Sequence, residues 1–154
     1  KVAGNYVNST LIKMEAVLDG FSEGIALDSQ GLVSEGSGEN IVLVMNNKLH
    51  TPPFASSILP GITRDTVMTL ASERGYAISE QPIPREMLYF ADEVFLTGTA
   101  AEITPIRSVD HILIGQGKRG PVTTQIQQDF FDYTQGKVKD RHQWMVQVHD
   151  RGRV

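Results

Sequence analysis

The chain has 154 residues, 40% of them hydrophobic and 21% charged, enough for one ordinary domain with its own core. Fourteen basic against eighteen acidic side chains give a formal net charge of -4, and no Lys/Arg stripe offsets it, so a nucleic-acid partner is not expected. The lack of cysteine excludes disulfides and thiolate metal sites; with no apolar run of membrane-spanning length, a cytoplasmic protein free of the membrane is expected.

The chain opens on Lys1-Val2-Ala3-Gly4-Asn5-Tyr6, without an initiator methionine, and reads as the interior of a longer polypeptide. Asn8-Ser9-Thr10 matches a glycosylation acceptor, but nothing else suggests secretion. The same three residues are candidate caps for a first helix, with Leu11, Met14 and Leu18 at spacings of three and four and Gly20 as its stop. Short extended runs follow at Gly24 to Leu27 and at Leu32-Val33, joined by a turn over Asp28 to Gly31. Ile41 to Met45 is β-branched-rich and predicts a strand, and Asn46-Asn47 predicts a hairpin turn into Lys48-Leu49-His50. A loop then runs from Pro52-Pro53 to Pro60-Gly61.

A second helix is expected over Thr63 to Arg74, with Val67, Leu70 and Ala71 inward and Gly75 ending it. Strands are predicted at Tyr76 to Gln81 and at Glu93 to Thr97, with a short helix over Arg85 to Phe90 between them. Gly98-Thr99-Ala100-Ala101 breaks the latter strand, and Glu102 to Ser108 resumes extended. Pro121 suits the first turn of a last helix, whose buried face is Val122, Ile126, Phe130 and Tyr133 and whose end is Gly136. The tail from Lys137 is charged until Trp144-Met145-Val146. Strands in hairpin-like pairs, separated by single helices, predict an α+β domain with a mixed or largely antiparallel sheet.

Gly115-Gln116-Gly117-Lys118-Arg119-Gly120 matches the G-x-G-x-x-G dinucleotide fingerprint and lies between a strand-like run and a helix. That fold needs a further buried strand ending in an acidic residue about 20 positions on. Gly136-Lys137-Val138-Lys139, ahead of Asp140, cannot form one, so a simple turn is the expectation. His50, His111, His142 and His149 show no metal-ligand spacing, and no metal is expected.

Three loops carry more chemistry. Ser34 to Asn40 combines glycines with Glu35, a carboxylate delivered just after a strand; a flexible turn is its plain alternative. Leu59-Pro60-Gly61-Ile62-Thr63-Arg64-Asp65 runs straight into a helix, so free amides and the Thr63 hydroxyl could hold a phosphate or carboxylate. Its alternative is a simple N-cap by Thr63. Thr97-Gly98-Thr99-Ala100-Ala101-Glu102 has the small side chains of an anion-binding backbone nest, or of a β-bulge.

Lys1 with Gly4-Asn5-Tyr6, Glu35 to Asn40, Leu59 to Asp65 and Gly98 to Ile103 together resemble the signature segments of the fold-type-IV pyridoxal-phosphate (PLP) enzymes. Within that class the chain is most similar to bacterial branched-chain amino-acid aminotransferases. The likeness extends through Glu23 to Asp28 and Gly120 to Thr123, over nearly the whole chain. It implies the large PLP-binding domain of that fold (D-amino-acid aminotransferase-like) over residues 1–154, beginning at the Schiff-base lysine. A smaller amino-terminal domain would be absent from the chain.

The roles implied by the resemblance are specific. Lys1 would form the Schiff base and move a proton between substrate and cofactor. Glu35 would face the pyridine nitrogen and Tyr6 the phenolic oxygen. The amides of Ile62 and Thr63, with the Thr63 and Thr99 hydroxyls, would hold the phosphate; the Thr99 and Ala100 amides would receive the substrate carboxylate. Val2-Ala3 departs from the small residue and glycine expected after the lysine. The implied reaction is reversible amino transfer from leucine, isoleucine or valine to 2-oxoglutarate, by a homodimer or assembly of dimers. Alternatives are a D-amino-acid aminotransferase, an aminodeoxychorismate lyase, or an inactive assembly module. Without the amino-terminal half, which would supply an arginine to the phosphate and much of the substrate pocket, the chain alone is expected to be inactive.

Overall fold

The computed structural model describes residues 2–146; Lys1, and with it the expected Schiff-base position, lies outside the described residues, as does His149. A short 3-10 turn, Ala3–Asn5, leads into α1, Tyr6–Leu18. The helix therefore starts ahead of the caps expected at Asn8 to Thr10, and its N-cap, Asn5, makes no side-chain capping bond. Gly20 ends it at a φ of 84°, which costs a glycine nothing. Leu11, Met14 and Leu18 lie along α1 as spaced, yet they are 59%, 55% and 83% exposed, and Ala16 is the buried residue of the helix. Its apolar side faces away from the core.

Two strands, β1 (Ile25–Leu27) and β2 (Val33–Gly36), pair antiparallel around the Asp28 turn. The Asp28 carboxylate accepts the amides of Gln30 and Leu32 and so closes that turn. The main sheet has the order β5-β4-β3-β6-β7. It is built from β3 (Asn40–Met45), β4 (Lys48–Thr51), β5 (Ala77–Glu80), β6 (Glu93–Gly98) and β7 (Glu102–Pro105). Neighbours pair antiparallel except β4 with β5, which are parallel. That exception follows from the crossover between them: α2 (Ile62–Glu73) carries the chain back across the sheet. Asn46 and Asn47, both at positive φ, form the tight β3–β4 turn.

The apolar run of β3 is buried on both faces. Val42 and Val44 point toward α2 and α4 (Pro121–Thr134), where they meet Val67, Leu70, Phe95, Ile126 and Phe130. Ile41 and Leu43 point the other way, onto Val33, Ile83, Leu88, Val94 and Leu96. The second layer includes α3 (Met87–Phe90) and leads to the small hairpin β8 (Ser108–Val109) and β9 (Ile112–Leu113). Covering both faces accounts for a strand that is apolar throughout rather than alternating. Beyond α4, Gly136 takes φ 68°. The Asp140 carboxylate then holds the chain by accepting the Tyr133 hydroxyl at 2.5 Å and the Trp144 amide at 3.0 Å.

The glycine run at 115–120 is the connection from β9 into α4, and the phosphate position of a dinucleotide site is occupied by protein. The buried Glu93 carboxylate accepts the amides of Val122 and Thr123 at 3.0 and 2.7 Å, closing the start of α4. A Cβ on Gly120 would fall 2.1 Å from the Glu93 carboxyl carbon, so the glycine is there for a side chain rather than a nucleotide. Glu93→Ala would leave two buried amides unpaired. A loss of about 3 kcal/mol in stability is expected, seen as a lower denaturant midpoint at unchanged slope. A change below about 0.5 kcal/mol would contradict this role.

Candidate active site

The three loops singled out in the sequence meet at one end of the main sheet, where β3 begins and β6 ends. Asn40 and Thr97 are register partners there. β2 delivers Glu35, because the strand continues through Gly36 instead of stopping at Val33. The Glu35 residue is thus held on a strand, and the flexible-turn alternative does not apply. The turn that follows is closed by a bond from the Gly36 amide to the Glu39 carbonyl at 2.7 Å.

The second loop becomes the start of α2. Its N-cap is Gly61, which has no side chain to cap the helix, and Thr63 lies within the helix rather than at its cap. The first intrahelical bond at this end runs from the Asp65 amide to the Gly61 carbonyl at 3.1 Å. The amides of Ile62 and Thr63 therefore precede the helical ladder, at the positive end of the helix dipole. The Ile62 side chain is 77% exposed, so its contribution to a ligand would come from the backbone. Thr63 is buried.

The third loop is the hairpin turn between β6 and β7, with Gly98 opposite Glu102 and Thr99, Ala100 and Ala101 between them. Glu102 takes a φ of 52° to close the turn. Thr97, Gly98 and Thr99 line a cavity of about 350 Å³. Tyr6, the first residue of α1, lines it too, as do Glu35, Asn40, Ile62 and Thr63. Of the described residues expected in the site, Ala100 is the one not in the lining; it stands beside Thr99 in the same exposed turn.

Asn40 and Gly61 were not foreseen as members of the site. The Asn40 side-chain amide donates to Glu35 Oε2 and to the Leu59 carbonyl, both at 2.8 Å. The Leu59 amide also donates to Glu35 Oε2, at 2.9 Å. A Cβ on Gly61 would lie 2.2 Å from Asn40 Oδ1. Thr97 was likewise missed: its buried hydroxyl finds no hydrogen-bond partner among the described residues. Asn40 closes the segment from Glu35 that carried the resemblance, but nothing within that segment singled it out.

The cavity is within the size range of small-molecule sites, about 300–1,000 Å³. It brings together a strand-held carboxylate, an uncapped helix start with a buried threonine, and a threonine-bearing turn. That donor set fits a ligand with a phosphate and a polar ring. Among the described residues no group of three or more His, Asp or Glu side chains could hold a metal ion, and no helix is long and apolar enough to cross a membrane.

Comparisons with known proteins bear on the family and the fold. The family model described as amino-transferase class IV matches residues 1–109. The branched-chain-amino-acid aminotransferase of Escherichia coli is 54% identical over 149 residues, covering 97% of this chain and 48% of the relative. A crystal structure of the Escherichia coli branched-chain amino acid aminotransferase superposes with a TM-score of 0.91 at 55% identity, over 94% of this chain and 48% of that one. The branched-chain amino acid aminotransferase of Thermobaculum terrenum, in its PLP-form, superposes with a TM-score of 0.88 at 41% identity, over 90% of this chain and 45% of that one. The fold is thus the α+β fold of the fold-type-IV aminotransferases, as the sequence implied. The chain spans about half the length of the curated relatives it matches.

Proposed function

The chain belongs to the class IV aminotransferases, and on that premise we propose that it forms the large, PLP-binding domain of a branched-chain amino-acid aminotransferase. The observation that carries the reading is the convergence of Glu35, the uncapped start of α2 and the Thr99 turn on one cavity. In this reading the Ile62 and Thr63 amides, with the Thr63 and Thr99 hydroxyls, bind the cofactor's phosphate. Glu35 binds the pyridine nitrogen, and Tyr6 hydrogen-bonds the ring's phenolic oxygen. The Thr99 and Ala100 amides orient the substrate carboxylate. Lys1 attaches the cofactor and moves a proton at the substrate's α-carbon. When bound, PLP supplies the electron sink that makes that carbon acidic.

The substrates are leucine, isoleucine or valine as amino donor and 2-oxoglutarate as acceptor, and the reaction is reversible. A smaller amino-terminal domain preceding Lys1 completes the substrate pocket, and the enzyme is a cytoplasmic homodimer or assembly of dimers. The exposed apolar side of α1 supports further polypeptide packing there, as does the coverage of about half of each relative.

The test is borohydride reduction of the full-length enzyme followed by peptide mass analysis. One cofactor adduct on the peptide bearing Lys1 is expected, together with amino transfer from leucine that requires 2-oxoglutarate. An adduct on a different lysine, or none, would refute the site. Pyruvate release without any acceptor would indicate a lyase instead.

A further inference from the structure

The bonds around Glu35 tie β2 and the start of β3 to the loop that precedes α2. Glu35 Oε2 accepts from the Asn40 side chain and from the Leu59 amide, and Asn40 also donates to the Leu59 carbonyl. Leu59 stands two residues before Gly61, the N-cap of α2, and the Gly61 amide donates back to its carbonyl at 2.8 Å. Asn40 itself is buried, 4% exposed, at the start of β3, whose pairing with β6 fixes it opposite Thr97. Both hydrogens of its amide are engaged. Gly61 packs so closely on Asn40 Oδ1 that no side chain fits between them.

We propose that Asn40 is a positioning residue, which locks the Glu35 carboxylate to the Leu59–Gly61 loop so that the carboxylate and the phosphate-binding helix start keep a fixed relation. The assignment rests on the function proposed above. A cofactor gripped by its phosphate at one end has its ring nitrogen at a set distance from that grip. Glu35 is useful to that nitrogen only if the carboxylate is held to the same frame. The lock supplies the common frame through one buried side chain.

The experiment uses full-length holoenzyme with PLP labelled by ¹⁵N in the ring. Asn40→Asp keeps the shape of the side chain but replaces its donor with an acceptor facing Glu35 Oε2 and the Leu59 carbonyl. Asn40→Ala removes both bonds. In both variants the ring ¹⁵N resonance is expected to move toward that of unprotonated cofactor. The kcat should fall about 10–100-fold, by analogy with the loss of groups that hydrogen-bond and orient metal ligands, while KM for leucine changes little. Thermal unfolding of the apoenzyme separates folding from positioning. A wild-type ¹⁵N resonance and kcat in Asn40→Asp would overturn the proposal. So would a lowered Tm and kcat in Asn40→Ala with the ring signal unchanged, which would mark Asn40 as structural only. If wild-type enzyme itself holds no lysine-linked cofactor, the functional reading falls, and this assignment with it.

Discussion

Lys1→Ala in the full-length enzyme is expected to lower kcat/KM for leucine by roughly 10⁴-fold, the upper end of what a positioned proton-transfer group contributes. The upper end applies because the same amine also makes the covalent link to the cofactor, and no other residue in the proposed site carries one. Lys1→Arg should fare no better, since a guanidinium keeps the charge but cannot deprotonate at working pH. PLP should still enter the variant noncovalently, because the phosphate contacts proposed for Thr63 and Thr99 do not involve the lysine. Borohydride would then leave the chain unmodified although absorbance shows cofactor present. Activity within tenfold of wild type would remove Lys1 from the mechanism.

Gly61→Ala should weaken PLP binding by about tenfold to a hundredfold, corresponding to an overpacking cost of about 1–3 kcal/mol. The backbone at Gly61, φ -73° and ψ 134°, suits any residue, so the expected loss is entirely steric. The added Cβ would fall 2.2 Å from Asn40 Oδ1. Asn40 could make room only by giving up its bonds to Glu35 or Leu59. The prediction is therefore non-additive: in an Asn40→Ala background the clash is gone, and Gly61→Ala should cost little more. Equilibrium PLP titration of wild type, both single variants and the double variant measures this coupling. Strict additivity would show that Gly61 and Asn40 act independently.

The elements were legible where periodicity and punctuation agreed. The inward stripe of α2, the buried face of α4, Pro121 at its first turn and the asparagine hairpin all follow from local rules, and each stands as expected. The first helix shows the limit of such rules. A spacing of three and four says that one side of α1 is apolar, but nothing in it says that the described chain covers that side, and it does not. The glycine run at 115–120 shows the converse. A pattern suited to phosphate was expected to be only a turn, and the fold explains why, by bringing Glu93 from a distant strand to the amides such a ligand would need.

The site divides the same way. The ordered segments containing Lys1, Glu35, Thr63 and Thr99 carry the family likeness, because reaction chemistry restricts which side chains can serve and sequence records side chains directly. An α+β domain with a mostly antiparallel sheet was equally readable, from paired strands separated by single helices. What only the tertiary structure decided is the set of contacts made by Asn40, Gly61 and Glu93. Their partners lie 19 or more residues away for the bonds to Leu59, the close approach at Gly61 and the capping of α4. No local propensity encodes such a contact; it exists only once the β3–β6 pairing and the packing of α2 and α4 on the sheet have set the distances.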